Sequence, residues 1–452
     1  MSYKVNKSDK RTSFGGENLK FFPSKYLGFI LGALLFLQVF SFVKLQAQYA
    51  EYPFEISRYN FINYDSNKVE VFKGSPNLEK FYKRLDTLVF QGKGQINIVS
   101  VGGSHIQADM FTGEMRKRFQ SFAGGLNAGR GFVFPYRLAH TNTPYGYYFR
   151  YTGKWTTCRN VEKDRFCALG MGGISALTND SISSLTLLFE PENEIKYDFN
   201  RIKIYHRCDS LSFSIKIDST LIDSIIERPQ EDYTEFFLTR YVDSLEISFV
   251  KTDSLQSDFE LYGMNLETGA PGIVYHNLGI NGASTVSFLR CNRFEQQLAT
   301  LKPDLVIFGL GINDAYGRRF SQRQYELNYD TLVERVLKAN PDAAIIFATN
   351  NDSYLYRRYV NRNGIKVEES MKRLAENHKA ALWDMFEIMG GLNSIVYWKR
   401  AGLARRDKIH FTREGYILLG DLFFDAIIRS WGNWLQTGQL GEIKHNKELS
   451  KR

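Results

Sequence analysis

Residues 96–122 read INIVSVGGSHIQADMFTGEMRKRFQSF, and this stretch decides the architecture of the chain. The β-branched run at 96–101 predicts a short strand that ends in two glycines, and residues 105–122 carry apolar side chains at helical spacing. A strand that passes through glycines into a helix is the first unit of an α/β fold. Ser104 lies at that turn, where the carboxyl end of a strand borders a crevice.

The chain beyond residue 270 continues the alternation of short apolar strands with amphipathic helices. The predicted strands are 272–278, 304–310, 343–348 and 381–385, and the predicted helices are 286–301, 322–339, 367–378 and 414–429. Buried strands separated by helices indicate a parallel sheet that is covered on both faces.

The segment 141–268 differs, because alternating polar and apolar residues replace the helical periodicity. Its predicted strands are 184–190, 201–206, 210–217, 233–239 and 244–250. We interpret it as a β-sandwich inserted into the α/β domain. The predicted organisation is a leader at 1–47, α/β segments at 48–140 and 269–436, the insertion at 141–268, and a polar tail at 437–452.

The first 47 residues have the pattern of an export leader. A basic stretch precedes an apolar run at 26–43, and Ala47 stands where a signal peptidase would cut. Leu45 is larger than the small residue expected two positions earlier, so an uncleaved anchor that attaches the protein to a membrane stays an alternative. Both interpretations place the rest of the chain outside the cytoplasm, in the periplasm or cell envelope.

Composition excludes one class of partner. Much of the formal charge of +9 lies in the leader, and the small remaining excess forms no basic stripe, so we expect no nucleic-acid partner. Of the four cysteines, Cys158 and Cys167 are close enough for a local disulfide in an oxidising compartment, with a zinc site as the weaker alternative. Cys208 and Cys291 have no evident partner.

Two short motifs could carry nucleophilic chemistry. Ser104 is either a nucleophile above the sheet or an ordinary helix N-cap. Asp407 lies three residues before His410, a spacing that lets the carboxylate orient the imidazole while the other ring nitrogen takes the serine proton. A histidine that only packs at a helix start is the alternative.

Two further residues could stabilise an oxyanion. Asn313 follows a buried strand and could direct an amide N–H into the crevice, or it could form a local Asx turn. Gly282, within NLGINGAST at 277–285, could offer a bare backbone N–H.

Together, the serine block GGSH at 102–105, Gly282, the GIND block that holds Asn313, and the DxxH block resemble the SGNH (GDSL-type) hydrolases in order and position. The resemblance implies a flavodoxin-like three-layer α/β/α fold. Separately, the sequence shows no metal or nucleotide motif, so we expect no metal or cofactor. The resemblance also implies Ser104, His410 and Asp407 as catalytic triad, with the N–H groups of Ser104 and Gly282 and the Asn313 side chain as oxyanion hole. Gly103 departs from the family, which usually has an aspartate there to pin the loops around that hole.

The stretches SHIQAD at 104–109 and NAGRGFVFP at 127–135 resemble the exported bacterial branch that includes peptidoglycan O-acetylesterases. The resemblance implies an esterase acting on O-acetyl groups of peptidoglycan or another glycan. The alternatives are an O-acetyltransferase acting on a glycan and a weakly active or non-catalytic glycan-binding envelope protein. Aromatic side chains that could contact sugar rings, or fill core positions, are Tyr145, Tyr147, Tyr148, Phe149, Tyr151 and Trp155; Tyr354, Tyr356, Arg357 and Arg358 could also line the cleft.

Overall fold

The computed structural model describes residues 56–72, 74–191, 193–317 and 319–441. Its strands, in chain order, are β1 (Val69–Val71), β2 (Gln95–Gly102), β3 (Gly131–Val133), β4 (Tyr147–Thr152), β5 (Thr156–Arg159), β6 (Ile174–Thr178), β7 (Ile182–Phe189), β8 (Phe199–His206), β9 (Ser214–Lys216), β10 (Ile222–Arg228), β11 (Tyr233–Val242), β12 (Ser244–Val250), β13 (Phe259–Glu267), β14 (Gly272–Gly279), β15 (Leu305–Gly309), β16 (Ala344–Ala348), β17 (Tyr354–Leu355), β18 (Tyr359–Val360) and β19 (Ala381–Trp383). The α-helices are α1 (Pro76–Gln91), α2 (Ser104–Gln107), α3 (Phe111–Ser121), α4 (Thr285–Leu289), α5 (Phe294–Leu301), α6 (Gln322–Ala339), α7 (Asn363–Asn377), α8 (Met385–Ile388), α9 (Ile395–Arg400) and α10 (Arg413–Thr437).

The central sheet has the strand order β1-β19-β16-β15-β2-β14, in which all neighbours are parallel except the edge strand β1. Without β1, this is the 2-1-3-4-5 order of flavodoxin-like folds. Phe308 of β15 contacts Tyr329 of α6 on one face, whereas Trp383 of β19 stacks on Phe423 of α10 on the other. The sheet is therefore the middle of three layers, as predicted.

Two antiparallel sheets form the β-rich part of the chain. One has the order β10-β11-β8-β13-β6-β5, with β3 also paired to β13, and the other has the order β4-β7-β12-β9. Phe249 of β12 stacks on Phe259 of β13 with ring centroids 4.2 Å apart, so the two sheets share a core. The predicted inserted β-sandwich is thereby confirmed. The boundary at residue 141 stays a prediction, since β3 precedes it and already pairs with β13.

The single helix predicted over 105–122 is wrong. The structure has two helices, α2 and α3, because Asp109 between them adopts the left-handed φ of 55°. This conformation puts the Asp109 carboxylate, which is fully buried, between the guanidinium groups of Arg116 and Arg130. Thr112 Oγ1 and Asn277 Nδ2 also donate to it, at 2.6 and 2.8 Å. A buried charge needs such partners, and this requirement overrides the helical periodicity.

The helix predicted over 286–301 is also interrupted, at Cys291 and Arg293, between α4 and α5. Asn292 Oδ1 accepts the N–H of Leu169, and Arg293 donates its own N–H to the carbonyl of Leu169. The β-rich segment therefore docks at this break. In contrast, the helix predicted over 322–339 has the predicted bounds, and α10 extends to Thr437, beyond the predicted end at 429.

The leader at 1–47, with its apolar run at 26–43, lies outside the described residues. Within the described part of the chain, no helix is long and apolar enough to cross a membrane. The expected local disulfide is present between Cys158 and Cys167, and Cys208 and Cys291 are free.

We predict that Asp109→Asn lowers the free energy of unfolding by about 3–5 kcal/mol, because it leaves two buried arginines without their countercharge. Urea unfolding of the purified protein measures this change. Asp223→Asn, which removes an exposed carboxylate of β10, is the matched control and should stay within about 0.5 kcal/mol. A loss below about 1 kcal/mol for Asp109→Asn would contradict this interpretation of the cluster.

Candidate active site

The structure brings Ser104, His410 and Asp407 into one hydrogen-bonded chain. The Ser104 Oγ lies 2.8 Å from His410 Nε2, and His410 Nδ1 lies 2.9 Å from Asp407 Oδ2. A carboxylate accepts from Nδ1–H, and this fixes the tautomer in which Nε2 is free to accept the serine proton. Ser104 is 306 residues from His410 in the sequence, so the fold brings the two side chains together.

Asp407 is held ionised by the segment that carries it. Partial burial acts to raise the pKa of Asp407, but hydrogen bonds from the backbone and ring of His410 and from the N–H of Ile409 outweigh it and lower the pKa below its ordinary value. Arg405 closes this loop by donating its N–H to the His410 carbonyl at 2.8 Å. The carboxylate is therefore charged at every pH near neutrality.

Ser104 does not act as a helix cap. The N-cap residue of α2 is Gly103, and no side-chain capping bond is present there. The hydroxyl group of Ser104 is instead bonded to the imidazole of His410. The alternative in which Ser104 is an ordinary helix N-cap is therefore wrong.

The backbone of the serine block packs directly on the neighbouring strand. A Cβ at Gly279, the last residue of β14, would overlap the backbone of Ile106 and Gln107. Only glycine permits this approach, which brings the N-terminus of α2 beside the segment that contains Gly282. Gly282 is exposed and has φ +82°, a conformation that favours glycine.

Gly282 and Asn313 both line the cleft that contains Ser104 and His410. Asn313 Nδ2 donates one hydrogen bond to the carbonyl of Ala283, at 2.8 Å. This bond joins two segments 30 residues apart and is not a local Asx turn, and it leaves the second amide hydrogen available. An amide N–H and a bare backbone N–H beside a serine hydroxyl are the donors that an oxyanion requires.

Side-chain hydrogen bonds join the segments that carry Gly282 and Asn313 to their neighbours, although position 103 is a glycine. A Cβ at Gly103 would lie 3.2 Å from Asn313 Nδ2, so an aspartate at 103 would point at that amide. In this chain Gln107 Oε1 accepts the N–H of Asn281 at 2.7 Å. Asp314 accepts from both the N–H and the Oγ1 of Thr285. The glycine block is therefore tied to both the serine block and the asparagine block.

His105 supports the imidazole of His410 from the side. The two ring centroids are 5.1 Å apart, and His105 Nδ1 lies 2.8 Å from the hydroxyl of Tyr416. Burial, followed by the nearby His410, lowers the pKa of His105 to about 3, so this ring is neutral near neutral pH. His105 is therefore a neutral ring that packs against the imidazole of His410.

The cleft has a volume of about 910 Å³ and opens beside the β-rich segment. Tyr145, Tyr147 and Tyr148 line it, whereas Phe149 is buried and Trp155 packs on Phe249. Tyr151 is exposed and does not line the cleft. The aromatic residues proposed for sugar contact are thus divided between the cleft, the core and the outer surface. The residues at 354–358 do not line it themselves, but Tyr356 donates its N–H to the hydroxyl of Tyr316, which does.

Several residues of this region were not predicted from the sequence. Gln107, Asn281 and Tyr316 have polar groups at the cleft or directly behind it, and Tyr416 carries the hydroxyl that contacts His105. Gln107 could have been found, because it lies three residues after Ser104 on the same short helix. The others come from loops whose position depends on tertiary packing.

Comparison with known proteins finds a family match for the second half of the chain. Residues 253–418 match the GDSL-like lipase/acylhydrolase family. The chain carries an SGNH, or GDSL-type, hydrolase domain. This assignment makes the protein a serine ester hydrolase by class, in agreement with the resemblance of the four sequence blocks. A search of curated proteins found no match to the chain.

Solved structures show how far the fold of this SGNH hydrolase is shared. A structure described as a peptidoglycan O-acetylesterase in action matches with a TM-score of 0.65 and 21% identity, over 82% of this chain and 99% of that chain. The matched 82% of this chain is more than the α/β segments 48–140 and 269–436 contain, so the common fold includes part of the β-rich insertion. A lipase/acylhydrolase from Enterococcus faecalis matches over 38% of this chain and 80% of its own, with 22% identity and a TM-score of 0.29.

We predict that Gln107→Met lowers kcat/KM for p-nitrophenyl acetate by about tenfold to a hundredfold. The substitution removes the acceptor of the Asn281 N–H, so the glycine block is no longer tied to α2. Initial-rate assays measure this. Gln120→Met is the matched control, since Gln120 is equally buried and donates to two carbonyls away from the cleft. Equal losses of kcat/KM in the two folded variants would show that Gln107 has no particular role at the site.

Proposed function

We propose that this protein is an exported serine esterase that hydrolyses O-acyl groups, chiefly O-acetyl groups, on a carbohydrate such as peptidoglycan. The observation that carries the proposal is the hydrogen-bonded chain from Ser104 through His410 to Asp407 at the wall of an open cleft. A hydroxyl, a base and an orienting carboxylate in this order are the parts of a nucleophilic acyl transfer.

In the first step His410 Nε2 takes the proton of Ser104 while Oγ attacks the ester carbonyl. The tetrahedral oxyanion is held by the N–H groups of Ser104 and Gly282 and by the Asn313 amide. Collapse expels the sugar alkoxide, which receives the proton from His410, and leaves an acetyl group on Ser104. Asp407 stabilises the imidazolium that exists between these events.

In the second step the deprotonating base is again His410. It takes a proton from water, the resulting hydroxide attacks the acetyl-serine, and Ser104 leaves with the proton that His410 returns. The products are acetate and the free sugar hydroxyl. No cofactor takes part in this sequence.

The carbohydrate substrate is favoured by the form of the cleft. Its volume of about 910 Å³ is far larger than an acetyl group needs. Tyr145, Tyr148 and Tyr316 line it, and Tyr145 and Tyr316 are 39% and 38% exposed. Aromatic rings with polar tips suit sugar faces. The solved peptidoglycan O-acetylesterase that shares the fold supports this substrate class and a location in the cell envelope.

We predict that Ser104→Ala abolishes acetate release from O-acetylated peptidoglycan, with a loss of kcat of at least about 10⁴-fold, because the nucleophile is removed. Coupled enzymatic determination of acetate measures it, and circular dichroism checks the fold. Ser121→Ala, at the exposed end of α3, serves as control and should retain wild-type turnover. Unchanged acetate release by the Ser104 variant would disprove the mechanism.

Two alternatives are separated by additional arms of the same assay. A transferase would move the acetyl group to an added glycan acceptor, and mass spectrometry of the acceptor detects the added acetyl. A non-catalytic glycan-binding protein would leave Ser104 unlabelled by a fluorophosphonate, whereas an esterase is labelled at this residue.

A further inference from the structure

The side chains that line the cleft carry more positive than negative charge. Beside the catalytic His410, the charged side chains among its described lining residues are Arg137, Arg405 and Glu190. All three are exposed, and none forms an ion pair within the described part of the chain. The cleft therefore presents two guanidinium groups for each carboxylate.

Arg405 is held by the same loop that carries the triad. Its N–H donates to the carbonyl of His410 at 2.8 Å, and its Nε donates to the carbonyl of Phe411 at 3.2 Å. These bonds fix the backbone of Arg405 and the Nε of its guanidinium group. The terminal nitrogens Nη1 and Nη2 have no partner among the described residues. Their N–H donors are therefore available to a ligand, while the Nε bond restricts the orientation of the guanidinium group.

Arg137 reaches the same cleft from a separate segment. It lies in the 3-10 turn Tyr136–Ala139, which Tyr136 anchors by donating its hydroxyl to the carbonyl of Gly279 at 3.1 Å. Gly279 ends β14, next to the serine block. The side chain of Arg137 has no hydrogen-bond or ion-pair partner in the described residues. Its base is therefore fixed at the catalytic edge of the sheet while its guanidinium stays unpaired.

We propose that Arg137 and Arg405 recognise a carboxylate on the glycan that carries the scissile acetyl ester. This inference rests on the proposed function and names its substrate class as an anionic, carboxylate-bearing glycan. Arginine forks bind carboxylates with two parallel hydrogen bonds. Arg137 and Arg405 belong to different segments and line the same cleft as Ser104. The aromatic residues of the cleft then hold the sugar ring while the arginines select its pendant charge.

The test compares two small substrates that differ only in that charge: 6-O-acetyl-N-acetylmuramic acid and its carboxamide. The wild-type protein should hydrolyse the free acid with a kcat/KM at least about tenfold above that of the carboxamide. Added salt should reduce this preference, since the guanidinium groups are exposed. Equal kcat/KM for the two compounds would overturn the inference.

The variants Arg137→Met and Arg405→Met should each lower the ratio of the two kcat/KM values, and the double variant should bring it close to one. Because the ratio compares two substrates on one variant, it is insensitive to a general disturbance of the triad loop by Arg405→Met. Arg150→Met, on an exposed position of β4 away from the cleft, should keep the wild-type ratio. A wild-type ratio in the double variant would overturn the inference, whereas absence of acetate release from both compounds would contradict the proposed function and the inference with it.

Discussion

The buried carboxylate of Asp109 joins three segments on which the site depends. It binds Arg116 of α3 and Arg130 of the segment before β3, and it accepts a hydrogen bond from Asn277 of β14. Asn277 also donates to the carbonyl of Ile106 in α2, the helix that begins at Ser104, at 2.6 Å. A buried charge needs all of its partners. The contacts of Asp109 therefore fix three features together: the break after α2, the position of Ser104 and the approach of β14.

Above this cluster, the catalytic edge is built from bonds between strand ends. Gln107 of α2 ties that helix to the glycine block, and Asp314 ties the glycine block to the asparagine block. These contacts join the segments of Gly282 and Asn313 to the helix that carries Ser104, although position 103 holds a glycine. Preorganised donors of this kind need no rearrangement when charge develops.

The sequence predicts the sheet and the four motif blocks because both depend on local patterns. The short apolar runs at 304–310 and 343–348 predict buried strands. Ser104 could be placed at a strand end, and His410 on the loop before the last helix, from the order of the elements. The breaks at Asp109 and Cys291 could not be predicted, since a buried ion pair and a docking segment impose them against helical periodicity. Arg137 and Arg405 were missed for a related reason, because loop residues acquire a common cleft only after folding.

The central claim is that Ser104, Gly282 and Asn313 act together on one ester carbonyl. A crystal structure of the protein after reaction with a fluorophosphonate tests it most directly. We predict a phosphorus atom bonded to Ser104 Oγ, with the phosphoryl oxygen about 2.7–3.1 Å from the Gly282 nitrogen and from Asn313 Nδ2. A phosphoryl oxygen directed to solvent, or a label on another residue, would contradict the account.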